Sequence, residues 1–470
     1  MQSAPAPSSA LDRSPRALPP GPRGSLGVGS LFETWKKHLT LMSDGCRDFG
    51  AIAHYKFAWL RYVVVADPNA AHHVLVENHK NYVKSQNYQG LKILLGEGLL
   101  TSEGDFWKRQ RKLSQPAFHR ERLAGFVSAM VDCTADVVAR WESSQMGTMD
   151  VHREMMRLTF RIVGKTLLSM DLDGEAKAVG EALDVALHWA NDYVESVVRI
   201  PPWIPTPKNV RFGRAKSILD SLVLRAVTER RAAMARGESV PGDLLQMLLE
   251  SRDADTGAQM TDEQLKHELL TLILAGHETT ANALAFSFWL LAEHPAVLAE
   301  LRREVDTVLG DRDPTLADIP KLAYAQQVID ESMRLYPPVW AFERQALSDD
   351  VIGGFHVPKG TIVGISPYVM QRRSELFSDP LTFDPSRFDK AKAQERHKHA
   401  YLPFGGGPRT CIGNMFAMME MQIVLAMVAR RFDFTTAPGF ELELEPAVTL
   451  RPKHGIPMTA TPRASVAAGA

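Results

Sequence analysis

The stretch Phe404-Gly-Gly-Gly-Pro-Arg-Thr-Cys411-Ile-Gly413 is the most informative part of this 470-residue chain. Its three consecutive glycines let the backbone turn tightly and approach a partner without obstruction from a Cβ atom. Cys411 stands where this loop meets the strongly apolar segment from Ile412 to Phe432, whose pattern is typical of a helix. Backbone amides and the positive end of that helix would stabilise a thiolate, the form in which cysteine binds a metal. Arg409 adds positive charge and could pair with an anionic cofactor group.

A glycine-rich loop with a cysteine could also be purely structural or bind phosphate. A lone cysteine in such a turn is usually a buried structural residue, but that role does not account for the whole string. A phosphate-binding loop is excluded because the order G-x-x-x-x-G-K-[ST] is absent. The three cysteines, Cys46, Cys133 and Cys411, lie far apart, which excludes a disulfide framework and a four-cysteine iron–sulfur cluster. Such a small number of widely spaced cysteines fits a protein of a reducing compartment.

A second segment, Ala275-Gly-His-Glu-Thr-Thr280, lies midway along a long helix predicted from about Thr261 to His294. Glycine costs about 1 kcal/mol relative to alanine inside a helix, so its presence needs a reason. Ala275, Gly276 and Thr279 share one helix face and form a shallow notch that a flat cofactor or dioxygen could approach. Glu278 lies off that face, where it could relay protons from a wetter side.

The same segment has two other possible interpretations, a patch of simple helix packing and a zinc site. Small residues in a helix often mark nothing more than close contact with a neighbouring helix. The pair His277-Glu278 suggests a zinc protease, but the H-E-x-x-H pattern needs histidine at the position of Ala281. The zinc protease is therefore excluded.

A third segment places Glu331 and Arg334 three residues apart on a helix that Pro337 ends. Such a pair is usually exposed and contributes about 0.2–0.5 kcal/mol. Apolar neighbours favour burial here, and a buried pair needs further partners to offset desolvation. Arg387 is the obvious third member, in a structural role.

These segments resemble the cytochrome P450 family. The loop matches F-x-x-G-x-R-x-C-x-G at every fixed position, the helix segment resembles A/G-G-x-D/E-T, and the third resembles the E-x-x-R helix with its downstream arginine. The resemblance implies haem b, with Cys411 as the axial ligand of the iron. A thiolate ligand pushes electron density to the iron and favours O–O cleavage. The further haem-contacting residues that it implies are Trp107, Arg111, Arg344, Arg409, Phe404, Ala275, Gly276 and Gly413.

Parts of this resemblance are less specific. Trp107 and Arg111 resemble the W-x-x-x-R helix, and Arg344 lies where the family often places another propionate partner. In isolation each would be an ordinary tryptophan or surface arginine. Gln371 stands where relatives usually carry histidine, which leaves any propionate or core role there open.

The implied reaction inserts one oxygen atom from O2 into an organic substrate. By resemblance, Thr279 hydrogen-bonds the oxygen being activated and Glu278 supplies protons. The chain has no G-x-G-x-x-G after a strand and no cluster site, so an external electron donor is expected, a ferredoxin or flavodoxin with a reductase. A basic cluster could dock that donor or be merely a solvated helix face; its members are Lys108, Arg109, Lys112, Arg120 and Arg122.

The substrate is expected to be a hydrophobic small molecule of the fatty-acid, terpenoid or steroid type, because the residues expected at the pocket are apolar. Those candidates are Leu272, Val339, Trp340, Ala341, Phe342, Trp203 and Val448. Two alternatives remain open: a haem-thiolate peroxygenase or isomerase that uses peroxide, and a non-catalytic haem sensor. The intact pair Glu278-Thr279 argues against the first, and the lack of a recognisable output domain argues against the second.

Composition gives broader limits. The chain is 45% hydrophobic with a net charge of -1, so nothing points to nucleic acid. We expect a mainly α fold with a smaller β region, the haem lying between the long helix and the cysteine loop. Residues 1–24 are expected to be flexible, 25–462 a single domain, and 463–470 a disordered tail. With no apolar run long enough for a membrane anchor, a cytoplasmic protein is expected.

Local patterns complete the expectations. Alternating residues predict strands within Ala51–Ala66, Val351–Tyr368 and Phe432–Thr461, including Phe440–Glu445. Two apolar segments, Ser85–Gly104 and Arg199–Lys208, are expected to be loops that cover a cavity.

Overall fold

The computed structural model describes residues 17–22, 38–57, 59–143, 147–172, 174–196, 199–253 and 256–463. The α-helices within these residues are α1 (His38–Phe49), α2 (Pro68–His72), α3 (Gln89–Leu95), α4 (Gly104–Ser114), α5 (Arg120–Leu123), α6 (Val127–Ser143), α7 (Val151–Val163), α8 (Ala176–Glu195), α9 (Pro207–Ala235), α10 (Leu244–Glu250), α11 (Asp262–Glu293), α12 (Pro295–Leu309), α13 (Ala323–Leu335), α14 (Pro367–Met370), α15 (Lys390–Glu395) and α16 (Asn414–Arg431). The strands are β1 (Ile52–Phe57), β2 (Leu60–Val65), β3 (Tyr82–Val83), β4 (Met149–Asp150), β5 (Phe342–Ala346), β6 (Asp350–Ile352), β7 (Phe355–Val357), β8 (Ile362–Ile365), β9 (Phe432–Thr436), β10 (Leu444–Pro446), β11 (Leu450–Pro452) and β12 (Pro457–Pro462). The expected mainly α fold with a smaller β part is confirmed.

Helix α11 is the central element, and the sequence defines both of its ends. The Thr261 hydroxyl accepts from the Gln264 backbone N–H, and the Gln264 side chain accepts from the Thr261 N–H, so a capping box begins the helix at the predicted residue. Pro295 begins the next helix directly after His294. With 32 residues, α11 spans roughly 48 Å at 1.5 Å per residue. It packs against α7, α9, α13 and α16, so most of its side chains are buried.

Three apolar clusters form the core, and two of them include residues of α11. One joins the second half of α11 to α6, α7, α12, α13 and α16. Another joins its first half to α3, α8, α9 and α10. The third lies on the larger sheet and includes strands β2 and β8. A helix that borders several cores in this way is held rigidly, which suits a site built on its middle turns.

The larger sheet has the strand order β1-β2-β8-β5-β3. Strands β2 and β8 are parallel, while the other neighbours are antiparallel. A second sheet has the order β4-β12-β9, and β10 pairs with β11 as a hairpin. The hairpin is joined to the segment before β5, because the Leu450 N–H donates to the Pro338 carbonyl oxygen over 2.8 Å.

Two local expectations were wrong. The predicted strand at Phe440–Glu445 is confined to Leu444–Pro446, since only these residues find a ladder partner in β11. The predicted loop Ser85–Gly104 contains helix α3, whose four buried residues pack on the cluster that includes α8. Alternation and glycine content are local signals, and tertiary packing overrode them in both places.

The terminal expectations fall mostly outside the described residues: 1–16, 23–24 and 464–470 lie there. Residues 17–22 accept two backbone hydrogen bonds from strands, one from the His54 N–H on β1 to the Pro20 oxygen (2.8 Å) and one from the His356 N–H on β7 to the Ala17 oxygen (3.2 Å).

Within the described part of the chain, no helix taken singly has both the length and the apolar composition of a membrane span. Helices α11 and α12 meet those criteria only as a pair bent by 112°.

Candidate active site

The cysteine loop is held in shape by its own backbone. The Cys411 N–H donates to the Phe404 oxygen over 2.9 Å, and Gly407 adopts a positive φ of 67°. A Cβ atom on Gly407 would lie 1.9 Å from the Leu75 carbonyl oxygen, so only glycine fits there. The loop therefore packs directly on the segment after α2, and its closing turn delivers Cys411 to the N-terminal end of α16.

Cys411 faces an internal space. Its side chain is exposed, although the surrounding protein is dense enough that burial raises the pKa of the thiol. The Gly413 N–H hydrogen-bonds the sulfur and the Arg111 guanidinium lies within electrostatic reach; both act to lower the pKa. Cys46 and Cys133 are instead buried, and burial raises the pKa of each to about 11. Of the three cysteines, only Cys411 combines access with groups that stabilise a thiolate.

The predicted notch lies midway along α11. Ala275 is exposed and Gly276 partly so, in the middle of a helix that is otherwise mostly buried. The Thr279 hydroxyl donates to the Ala275 carbonyl oxygen over 2.6 Å. A Cβ atom on Gly276 would only touch Val163, at 3.5 Å, so packing against α7 does not require glycine there.

This notch opens on a cavity of about 640 Å³. Its wall includes Ala275, Glu278 and Thr279 from α11 and four of the predicted residues after the Pro-Pro turn, Val339 to Phe342. The Trp340 indole N–H donates to the Ala447 oxygen over 2.9 Å, which joins this wall to the hairpin turn that contributes Val448. Further aromatic residues line the cavity, namely Tyr55, Phe57, Tyr62 and Tyr88.

Two of the predicted pocket residues lie elsewhere. Trp203 is 79% exposed at the surface, because the Asn209 amide donates to the Pro201 and Ile204 oxygens and fixes this Pro-rich turn with the indole outward. Leu272 is 8% exposed and packs in the apolar core, while Leu274 lines the cavity instead.

Three cations gather beside the cavity. Arg409 binds the Glu103 carboxylate, donates to the Ser102 oxygen over 2.9 Å, and stacks 4.0 Å from the centre of the Trp107 ring. Burial and the charge of Arg344 lower the pKa of Arg409 to about 10. Burial and the charges of Arg344 and Arg409 also hold the pKa of Lys84 well below its ordinary value. Sequence reasoning missed Lys84, which no motif marks.

These features fit a haem. Cys411 and Ala275 are both exposed to interior space, and no packing reason accounts for the glycine beside Ala275. The close cations match the two carboxylates that a haem carries. Cys411 would hold the iron, Arg409, Arg344 and Lys84 would face the carboxylates, and Trp107 would stack under Arg409. Phe404 and Gly413 hold the loop and the sulfur, and Arg111 adds charge beside Cys411.

Glu278 separates two spaces. It lines the cavity and also an outer pocket of about 570 Å³ that carries several charged residues. Its side chain is 5% exposed, and its Oε1 accepts from the Thr449 hydroxyl over 2.7 Å. Burial raises the pKa of this carboxyl, and the hydrogen bond from Thr449 partly offsets the rise. A carboxyl in this state can be protonated and deprotonated nearer neutral pH.

The third predicted group is brought together around a fully buried carboxylate. Glu331 accepts from the Arg334 Nε over 2.6 Å and from the Arg387 Nε over 3.2 Å. Arg334, also fully buried, further donates to three backbone carbonyls, including that of Gln371. The Gln371 amide donates to the Met333 and Arg334 oxygens and accepts from the Leu402 N–H, so this residue has a core role. The network ties α13 to the chain that leads into the cysteine loop.

Comparison with known proteins agrees with this geometry. The sequence model of the cytochrome P450 family matches residues 19–457. Cyclooctatin synthase of Streptomyces melanosporofaciens is 38% identical over 361 residues, which cover 76% of this chain and 77% of that protein. Cyclooctat-9-en-7-ol 5-monooxygenase of the same organism is 33% identical over 445 residues, covering 93% and 94%. The crystal structure of the cytochrome P450DA haem domain superposes with a TM-score of 0.86 at 25% identity, covering 96% of this chain and 99% of that one.

The chain belongs to the cytochrome P450 family. It is a haem-dependent monooxygenase that acts on a hydrophobic small molecule.

Proposed function

We propose that this enzyme inserts one oxygen atom from O2 into an uncharged terpenoid-type molecule. The observation that carries the proposal is the wall of the 640 Å³ cavity. It is largely apolar and aromatic, and no lysine or arginine is among the described residues that line it. Among the described residues that line it, the charged groups are the carboxyls of Glu278 and Glu343.

This wall disfavours one of the three substrate types expected from the sequence. A fatty-acid carboxylate would lose its water there without gaining a cation, and an unpaired buried charge costs several kcal/mol. Neutral hydrocarbons and alcohols avoid that cost. The names of two relatives, which mention cyclooctatin and the alkenol cyclooctat-9-en-7-ol, support a neutral substrate of the same kind.

Haem held by Cys411 would supply the binding and activation of dioxygen. The described residues account for the proton side of the reaction. Thr279 presents a hydroxyl on the notch, where it can turn from the Ala275 oxygen towards the reacting oxygen. Glu278, one residue earlier and bordering the outer pocket, supplies the proton. The surrounding apolar wall keeps bulk water from the reacting centre.

The two electrons come from a separate protein, a ferredoxin or a flavodoxin with its reductase. Arg120 and Arg122 are exposed on α5, and the Phe118 ring just before it lies 3.8 Å from where a Cβ atom on Gly413 would stand. This basic surface therefore borders the cysteine loop and suits an acidic donor. Arg109 has its own partner, since it pairs with the buried Asp253. A cytoplasmic location completes the proposal, in keeping with three unpaired cysteines.

Titration of the haem absorbance tests the substrate class. A neutral terpene alcohol and a fatty acid of equal carbon number are each added to the oxidised enzyme. We expect the alcohol to displace the water ligand and shift the Soret band, and the acid to bind at least about tenfold more weakly, since 1.4 kcal/mol corresponds to a factor of ten. Equal or tighter binding of the acid would contradict the proposal. Turnover under ¹⁸O2 should place one labelled oxygen atom in the product.

The proposed role of Thr279 beside Glu278 is tested by replacing two adjacent threonines, Thr279 and Thr280. Thr279→Val should keep haem binding but divert electrons from product to peroxide. Thr280→Val is the matched control, because the buried Thr280 hydroxyl has no hydrogen-bond partner among the described residues. Wild-type coupling of electrons to product in Thr279→Val would count against the assigned role.

A further inference from the structure

Glu278 is the last member of a chain of hydrogen bonds that begins on a different helix. His152, on α7, bonds through Nε2 to the Asn282 Oδ1 over 2.8 Å. The Asn282 Nδ2 donates to the Thr449 Oγ1 over 3.2 Å, and the Thr449 hydroxyl donates to the Glu278 Oε1 over 2.7 Å. Asn282 and Thr449 are buried, and Glu278 and Asn282 are one helical turn apart on α11.

The direction of these bonds is fixed by chemistry. The Asn282 NH2 group can only donate, so the Thr449 oxygen is the acceptor of that bond and its hydroxyl proton is left for Glu278. The Asn282 Oδ1 can only accept, so His152 carries its proton on Nε2. Every donor therefore points towards the Glu278 carboxyl. The Asn282 amide in the middle of these hydrogen bonds cannot transfer a proton. The hydrogen bonds therefore hold the Glu278 carboxyl in place and do not conduct a proton to it.

The hairpin that carries Thr449 is itself tied down. Arg451 on β11 donates to Glu445 (2.7 Å), to Asp184 on α8 (2.9 Å) and to His188 on α8 (2.7 Å). His188, Glu445 and Arg451 line the outer pocket that Glu278 also borders. Thr449 lines only the inner cavity. Its hydroxyl therefore holds the Glu278 carboxyl from the cavity side, at the wall between the two spaces.

We propose that Thr449, fixed by Asn282 and His152, is a positioning residue that holds the Glu278 carboxyl between the outer pocket and the oxygen-activating notch. The inference rests on the proposed role of Glu278 as proton source. Protons reach Glu278 from the outer pocket, and the Thr449 hydroxyl keeps one carboxyl oxygen from rotating away from the wall. Without the Thr449 hydroxyl, the Glu278 side chain would be free to rotate. In an active site, a displacement of about 1 Å can lower the rate up to 100-fold.

The test compares Thr449→Val with Thr449→Ser in the haem-loaded enzyme. Valine keeps the shape and removes the donor, while serine restores it. Thr361→Val is the control, since Thr361 is also buried and its hydroxyl has no partner among the described residues. Asn282→Leu breaks the same chain one bond further away, in case Thr449→Val does not fold. The carbon monoxide spectrum of each variant verifies that the haem is bound normally.

Two readouts separate positioning from a merely structural role. Product formed per electron pair should fall about tenfold in Thr449→Val, less than the 10²-fold or more associated with loss of a general acid, and recover in Thr449→Ser. Infrared titration of the Glu278 carboxyl should show a higher pKa in Thr449→Val, because a hydrogen bond that favours the carboxylate is lost.

The outcomes are distinguishable. If Glu278→Gln is defective while Thr449→Val couples within twofold of wild type, the positioning role is overturned and the proposed function stands. If Thr449→Ser remains as defective as Thr449→Val, the hydroxyl is not the group that matters, and the inference is overturned as well. If Glu278→Gln itself couples normally, the proton role of Glu278 falls, and the inference with it.

Discussion

Replacing Glu331 by glutamine should weaken the scaffold behind the cysteine loop more than any change at the loop's surface. The Glu331 carboxylate is fully buried and accepts from Arg334, Arg387 and the Asp384 N–H. Glutamine has nearly the same size but carries no charge and offers one acceptor oxygen. Arg334, also fully buried, would keep its positive charge and its bonds to backbone carbonyls but lose the carboxylate with which it pairs.

The expected magnitude follows from this burial. Breaking a buried ion pair by neutralising one partner costs about 3–5 kcal/mol. Unfolding entropy of about 2.1 cal/mol/K per residue gives roughly 1 kcal/mol/K for a chain of this length, so the thermal midpoint should fall by about 3–5 °C. Arg387 is 12% exposed and makes one bond of 3.2 Å to Glu331. Arg387→Gln should therefore cost only about 1–2 kcal/mol, or 1–2 °C.

Circular dichroism at 222 nm during heating measures both variants, with haem release followed by loss of the Soret band. Glu331→Gln should release haem at a lower temperature than Arg387→Gln, because the network leads directly into the loop that carries Cys411. Equal losses in the two variants, or a change below 1 °C in Glu331→Gln, would show that burial of the carboxylate does not determine the loss of stability.

Three further predictions concern groups whose chemistry burial has changed. Burial raises the pKa of Glu268 to about 8, so the fold favours the protonated acid; its contribution is complete below the ordinary pKa near 4.5 and is lost as pH rises through about 8. Glu268→Gln should therefore have a higher thermal midpoint than wild type at pH 9 but not at pH 5. Between these two pH values, the stability of wild type relative to Glu268→Gln should change by an unfolding free energy on the order of 4 kcal/mol. Burial lowers the pKa of His277 to about 4, so stability is lost as pH falls from 6.5 towards 4. The urea midpoints of unfolding at pH 7 and pH 5 should therefore differ less in His277→Gln than in wild type. The same difference in both proteins would exclude His277 as the cause. Arg409→Gln should lower haem retention at least about tenfold in transfer to apomyoglobin, as expected for loss of a charge-assisted bond, whereas exposed Arg122→Gln should not.

Sequence reasoning succeeded where chemistry forces an unusual residue. Three glycines before a cysteine and a glycine inside an apolar helix each carry a cost, and in the structure Cys411 and Ala275, which neighbour these glycines, are both exposed. The ends of α11 were predictable for a similar reason, because a capping box and a proline act within a few residues of themselves.

Features that depend on tertiary packing could not be predicted. Trp203 is apolar and follows two prolines, but Asn209, six residues later, turns it outward. The pKa of Lys84 is lowered by burial and by the charges of Arg344 and Arg409, which are distant in the chain. Thr449 is one threonine among many until the hairpin brings its hydroxyl to Glu278. None of these residues has a spacing that marks it.

We infer that Cys411 provides the thiolate ligand of a haem, and the absorbance of the reduced, carbon monoxide-bound protein reports this ligand. The red-shifted Soret band of thiolate ligation should appear in the wild type, remain in Cys46→Ala and Cys133→Ala, and disappear in Cys411→Ala. A protein that binds haem yet shows the same band after Cys411→Ala, or that shows the band of a nitrogen ligand from the start, would contradict it.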